Sequence, residues 1–169
     1  VVTKNSYTHF LDFHFYELSE GSSLFISKNQ IQRFSNTITN AKGYGLLFNT
    51  DFLNKHYFLS DKLRLNRVFN YHIESPLIHQ IEQGAHHFLD IIKNLYEEYQ
   101  SSHSFGKSEI LGSLLNVLLL KAERTKDRRT KVEINQYWLD VFSRFKELLE
   151  IEYVTTRNSR NYAHLLMHM

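Results

Sequence analysis

No cysteine occurs in the 169 residues. That excludes a disulfide framework, a thiolate metal site and a cysteine nucleophile. Long hydrophobic runs are missing too: the longest, Val117 to Leu120, is far short of the roughly 20 residues that cross a bilayer. The chain opens without a charged-then-apolar leader, so Val1 reads as a start inside a larger protein and the expected location is cytoplasmic, with no membrane partner. Phosphate cradles are absent: there is no P-loop and no G-x-G-x-x-G, and Gly43-Tyr44-Gly45 sits in a strand pattern. No G-x-S-x-G nucleophile motif occurs either, so an enzyme is not expected and no cofactor is implied. Charge of one sign is also lacking. Lys and Arg stand against Asp and Glu as 8 to 6 over residues 1–75, 5 to 7 over 76–127 and 7 to 5 over 128–169. No block carries the dense basic field of a complete DNA-binding domain.

What is there divides into four regions. Residues 1–75 hold nine of the thirteen phenylalanines and five of the ten tyrosines, and they carry the strand signals. His9 to Leu18 reads as an aromatic strand run closed by a Ser19-Glu20-Gly21 turn, Ser23 to Ser27 as a second strand, Ile31 to Phe34 as a third and Gly43 to Phe48 as a fourth. Lys28-Asn29-Gln30 is a turn, and Asn40-Ala41-Lys42-Gly43 suits a hairpin connection between the last two strands. A short helical or irregular segment starts at Thr50. Short strands so closely spaced suggest part of a β-sandwich or barrel.

Residues 76–127 read as two helices. Ser75-Pro76, with the only proline, pairs an N-cap with proline at the first helical position. Ile78, Ile81, Ala85, Phe88, Ile92, Leu95 and Tyr99 then form a heptad stripe that needs a helical partner. A second helix spans Glu109 to Glu123, with Leu111, Leu115, Leu118 and Ala122 in one stripe. Leu114, Val117, Leu119 and Leu120 spread apolar surface round most of the remainder, so this helix is buried on more than one side. One side would pack on the strand region and the other on a second chain. Lys121 to Lys131 is a basic hinge candidate, with a linker at 128–133. Residues 134–169 give a helix with Phe142, Phe145, Leu148, Leu149 and Tyr153 at helical spacing, a polar break at Thr155 to Ser159, and a second helix from Tyr162. Trp138, Phe142, Phe145, Leu149, Tyr162 and Leu165 are its expected core.

The ten histidines make no metal pattern. His9 and His14, five apart in one strand run, would project to opposite faces, and His86 and His87 are about 100° apart on a helix. His79 could share a face with Gln83 or His86, but no carboxylate completes a site. Glu97-Glu98 reads as solvated, and His56 and Asp61 could pair without a nucleophile beside them. Phe13, Phe15, Tyr16 and Phe25, with His14 and Arg33, could line a small-molecule pocket with polar handles; for each the alternative is a place in the core.

The final pattern, F-x-x-F-x-x-L-L-E-x-x-Y followed by R-N-S-R-N-Y-A-x-x-L, resembles the opening of the helix-turn-helix domain of AraC/XylS-type transcriptional regulators. Upstream, G-S-S-L-F-I-S-K-N-Q-I-Q-R-F and then G-Y-G-L-L-F-N-T-D-F-L are similar to the back half of that family's cupin-like sensor domain, over residues 8–55. Lys28 stands where proline is common there, and Gln32 where histidine is common. The resemblance implies an α+β chain: a partial cupin-like β-domain (1–75), a two-helix dimerisation unit (76–127), a linker, and the first helices of an all-α helix-turn-helix domain (134–169). It also implies a homodimer through Leu111, Leu115, Leu118 and Ala122, and a possible small-molecule effector. Arg157, Asn158 and Arg160 would contact DNA phosphates, with capping or solvated charge as the alternative, and the recognition helices would lie beyond Met169. Two other readings are a stand-alone ligand-binding or dimerisation module, and a cupin-type metalloenzyme.

Overall fold

Asp12 adopts φ +53°, a left-handed conformation that Asp tolerates better than most residues and that hairpin turns favour. It folds the aromatic run back on itself. After a short strand β1 (Val2–Lys4), the computed structural model therefore has two strands in place of the single run expected: β2 (Tyr7–Leu11) and β3 (His14–Leu18), paired antiparallel from Tyr7↔Leu18 to Leu11↔His14. The structure describes residues 1–56, 68–69, 75–79, 87–102, 105–127 and 136–167. Asp12 also fastens the turn to the next one: its carboxylate accepts from Ile31 N at 2.9 Å and Gln30 Nε2 at 2.7 Å, and its own N–H donates to Ile31 O.

The remaining strands are short. They are β4 (Ser23–Leu24), β5 (Gln32–Phe34), β6 (Lys42–Gly43) and β7 (Leu77–Ile78). Among the described residues the strands form three small antiparallel sheets, ordered β3-β2-β5, β1-β6 and β4-β7. The expected hairpin between the third and fourth strands does not form, because β5 pairs with β2 and β6 pairs with β1. A 3₁₀ helix (Asn36–Asn40) turns the chain between them. Gly43 is where this path needs glycine, since a Cβ there would run into the Val1 carbonyl. Tyr44 to Phe48 and Phe25 to Ser27, expected as strand, are not. α1 (Thr50–Lys55) follows, with Asn49 Oδ1 accepting from Phe52 N as its N-cap.

Ser75-Pro76 does not open a helix. Leu77-Ile78 pairs with Ser23-Leu24 instead. Proline lacks only a donor, and its carbonyl accepts from Phe25 N while Ser75 Oγ accepts from Leu77 N, so the segment works as strand. Two long helices follow, α2 (His87–Gln100) and α3 (Lys107–Asp127). They are joined through Gly106 at φ +69° and fastened by Lys107, whose ammonium donates to the Tyr99 and Ser101 carbonyls at the end of α2. Phe88, Ile91, Ile92 and Leu95 of α2 bury against Leu115, Leu118, Leu119 and Ala122 of α3, with Val68 and Ile78 in the same core. Tyr99, expected in the stripe, lies at the last turn and is exposed; Ile81 and Ala85 lie outside the described residues. A smaller cluster joins Val2, Leu18 and Leu77.

The chain is thus mixed α and β, and it divides into two compact units, Val1–Arg129 and Thr130–Met169. Strands and the α2–α3 pair share the first. The second holds α4 (Gln136–Glu152) and α5 (Ser159–Met167). Residues 128–133, the expected linker, lie outside the described residues. Among the described residues no helix is long and apolar enough to cross a membrane.

Candidate functional site

The hairpin sorts its side chains by pleat. Tyr7, His9 and Leu11 share one face with their cross-strand partners Leu18, Tyr16 and His14, and with Phe34 and Gln32 of β5. His9 and His14 therefore lie on the same face, contrary to the expectation from a single strand, because the turn between them restores the parity. His9 is 1% exposed and sits edge-on to two rings, Phe34 at 4.8 Å and Tyr7 at 6.0 Å. Among the described residues neither of its ring nitrogens has a hydrogen-bond partner. Burial pushes its pKa below the ordinary histidine value, and the nearby Gln32 side chain opposes that only in part. Ser23 Oγ, on β4, is the other buried polar atom without a partner among the described residues. His9 is not among the expected pocket residues; the signal that marks it is the alternation Tyr7, His9, Leu11, which sets a polar ring between two apolar side chains on one face.

The six residues expected to line one pocket are not brought together. Phe15 and Arg33 lie on the opposite face of the sheet, where the Arg33 guanidinium carbon is 5.5 Å above the Phe10 ring and Phe10 meets Phe15 at 5.1 Å. Phe13 projects from the hairpin tip, 91% exposed. His14 and Tyr16 are on the His9 face, 6.3 Å apart. Phe25 is packed in the main core against Phe69 and Phe88. The hairpin separates these residues because its pleat alternates and its turn inverts the chain.

The residues expected at a dimer interface are also placed differently. Leu115, Leu118 and Ala122 are buried and Leu111 half-buried within the core shared with α2, so their surface is already used inside the chain. Ile110, Val117 and Leu120 are left exposed on the opposite side of α3, with Ser113 between the first two and Arg124 one turn beyond the last. Gly112 lies where α3 meets His56: a Cβ at 112 would stand 2.7 Å from the imidazole. The His56 ring also meets Phe52 at 4.8 Å, and its Nε2 lies 3.4 Å from Ser108 Oγ. Asp61, the partner expected for His56, lies outside the described residues, as do Gln83 and His86. His79 is exposed, and so is Glu97.

The basic hinge does not begin at Lys121, because α3 continues to Asp127. Lys126 is buried, donating to the Val68 carbonyl. It continues the buried stripe, four residues beyond Ala122 and seven beyond Leu119, but a lysine at such a position reads equally as solvated charge.

In the second unit α5 packs on α4 through Tyr162, whose ring meets Phe145 at 5.7 Å and whose hydroxyl donates to Thr156 O at 2.7 Å. Leu148 and Tyr162 are buried and Phe142 and Phe145 half-buried. Trp138, Leu149 and Leu165, expected as core, are exposed, since a 9-residue helix covers only part of the apolar side of a 17-residue one. Asn158 caps α5: its Oδ1 accepts from Arg160 N at 3.0 Å. Arg157 and Arg160 are exposed beside that cap. Among the described residues no three His, Asp or Glu side chains are grouped to hold a metal ion. No family model, no curated protein and no solved structure matches this chain.

Proposed function

We propose that this chain is the regulatory and dimerisation part of an AraC-type bacterial DNA-binding transcription factor. The observation that carries this reading is the start of α5. In the R-N-S-R-N-Y-A segment Asn158 caps the helix and Tyr162 holds it on Phe145, which leaves Arg157 and Arg160 exposed at the helix start. Such a helix start suits backbone phosphate, which positions a protein on DNA without reading sequence. Base reading is assigned to none of the residues present. Two further features support the reading: a strand-bearing unit precedes this helix pair, and α3 keeps an exposed apolar stripe of Ile110, Val117 and Leu120 for a second copy. The β3-β2-β5 sheet would be the cupin-like remnant, and a small effector is assigned to its inner face, where His9 offers an unpartnered nitrogen among aromatic rings.

The test is selection from random duplexes with the native full-length protein. One enriched motif with two-fold-related halves is expected, and the Arg157→Ala, Arg160→Ala pair should lower the salt slope of binding by about 2. Absence of any enriched motif would overturn the DNA reading. The second reading, a ligand-binding or dimerisation module with no DNA role, is favoured by the first unit holding both apolar clusters by itself. Self-association without motif enrichment would select it.

A further inference from the structure

The last two turns of α3 carry Lys121, Arg124 and Lys126, and they are not alike. Arg124 is exposed and Lys121 half-buried, while Lys126 is 2% exposed. Its ammonium donates a 2.6 Å hydrogen bond to the Val68 carbonyl and lies 5.7 Å from the centre of the Phe25 ring. Val68 is fully buried. The next residue, Phe69, is held from another side: Ser27 Oγ donates to its carbonyl, and its ring meets Phe25 and Phe48, each at 6.1 Å. Phe25 in turn meets Phe88 of α2. Beside Lys126, Thr125 is buried too, its hydroxyl turned back to the Lys121 carbonyl at 2.9 Å.

A methionine would fill the space of the Lys126 stem without the cost of dehydrating an ammonium, so apolar packing does not account for a lysine here. What the lysine adds is a directed, charge-assisted hydrogen bond to a backbone group at a fixed place. We infer that Lys126 is a latch, fastening the end of α3 to the Phe25–Phe48–Phe69–Phe88 cluster and so fixing the point at which the chain leaves the first compact unit, which ends at Arg129. A change that displaces the Phe25 or Phe69 ring removes a wall of the lysine's site. The last turn of α3 then loosens, and the state of the core is felt where the chain continues towards the second unit. This coupling is a property of the first unit and holds whatever the protein binds.

Two measurements test it. Under native acetylation with acetic anhydride, read by mass spectrometry, Lys126 should react at least about ten-fold more slowly than the exposed Lys4, Lys28, Lys42, Lys55 and Lys93. Labelling at the same rate as those lysines overturns the latch. In Lys126→Met, amide exchange over the last turn of α3 should rise by about ten-fold while the amides of Ile91 to Leu95 stay protected. An unchanged last turn in a folded variant also overturns it. Phe25→Leu, which removes the ring under the ammonium, gives the same reading should the methionine variant fail to fold, and the labelling result on the unaltered protein stands independently.

Discussion

His9 brings two ring nitrogens into a space walled by Tyr7, Leu11 and Phe34, with Tyr16 opposite on β3. The groups that could answer a charge there are few. Tyr7 and Tyr16 both have raised pKa values, through burial and, for Tyr16, secondarily through the Asp12 charge, so neither supplies an anion near neutrality. His14 shares the face, Arg33 points to the other one, and Gln32 offers only a dipole. Folding therefore favours the neutral imidazole. Below the unfolded histidine value of 6.5 the unfolded chain holds more protons than the folded one, so this contribution is complete above that value and is lost as pH falls through the lowered folded value. The thermal midpoint should drop between pH 7.5 and 5.5 more steeply in the unaltered protein than in His9→Phe, measured by circular dichroism; parallel slopes would refute the assignment. Gly112 is the second residue whose identity the packing dictates. Gly112→Ala gains helix propensity of about 1 kcal/mol but forces the His56 ring to move, a cost of about 1–3 kcal/mol, so the expected outcome is net destabilisation. Chemical denaturation should detect it, and His56→Ala in the same chain should relieve most of it, because the two changes share one contact.

At the scale of the element, α3 shows how one apolar helix divides its surface. Its buried side, centred on Leu115, Leu118 and Ala122, belongs to α2 and the main core, while Ile110, Val117 and Leu120 remain outside. The two sides predict opposite behaviour for the same chemical change. Leu115→Asp buries an uncompensated charge and should cost about 3–5 kcal/mol, giving unfolded or insoluble protein. Val117→Asp should leave the stability of the single chain within about 0.5 kcal/mol and shift a dimer to monomer in light scattering. If Val117→Asp leaves a dimer intact, that stripe is not the interface; a monomeric unaltered chain removes the dimer proposal altogether. The amphipathic pattern alone marked α3 as buried on more than one side, but it could not say which stripe α2 would take. Leucine occurs on both sides, Leu115 and Leu118 on one and Leu120 on the other, so composition did not distinguish them.

For the whole molecule the two units differ in how much they bury. The first has a large core from α2, α3 and the strand region and a smaller one around Val2, Leu18 and Leu77. Leu148 and Tyr162 are the buried residues described in the second, and Trp138, Ile151, Tyr153 and Val154 are exposed there. Small units with little buried apolar surface are marginal. Expressed separately, residues 1–129 should melt cooperatively, whereas residues 130–169 should lose helix gradually on heating. A sharp transition in the shorter piece would mean that its two helices form a cooperative core of their own.

The sequence by itself determined helix wherever one periodicity ran long enough: the 3.6-residue pattern placed α2, α3 and α4, though it opened the first of them at Pro76, and it began α5 at Tyr162, three residues after its start at Ser159. Composition and the lack of cysteine, glycine-rich loops and long apolar runs bounded the chemistry. Tertiary structure alone decided what depended on distant partners. Asp12 turned one aromatic run into a hairpin and so split the expected ligand residues between two faces. Leu77-Ile78 became strand because Ser23-Leu24 was there to pair with it, and Lys126 went inside because the Val68 carbonyl was within reach. In each case the local signal was compatible with two states, and a hydrogen-bond partner far away in sequence selected one of them.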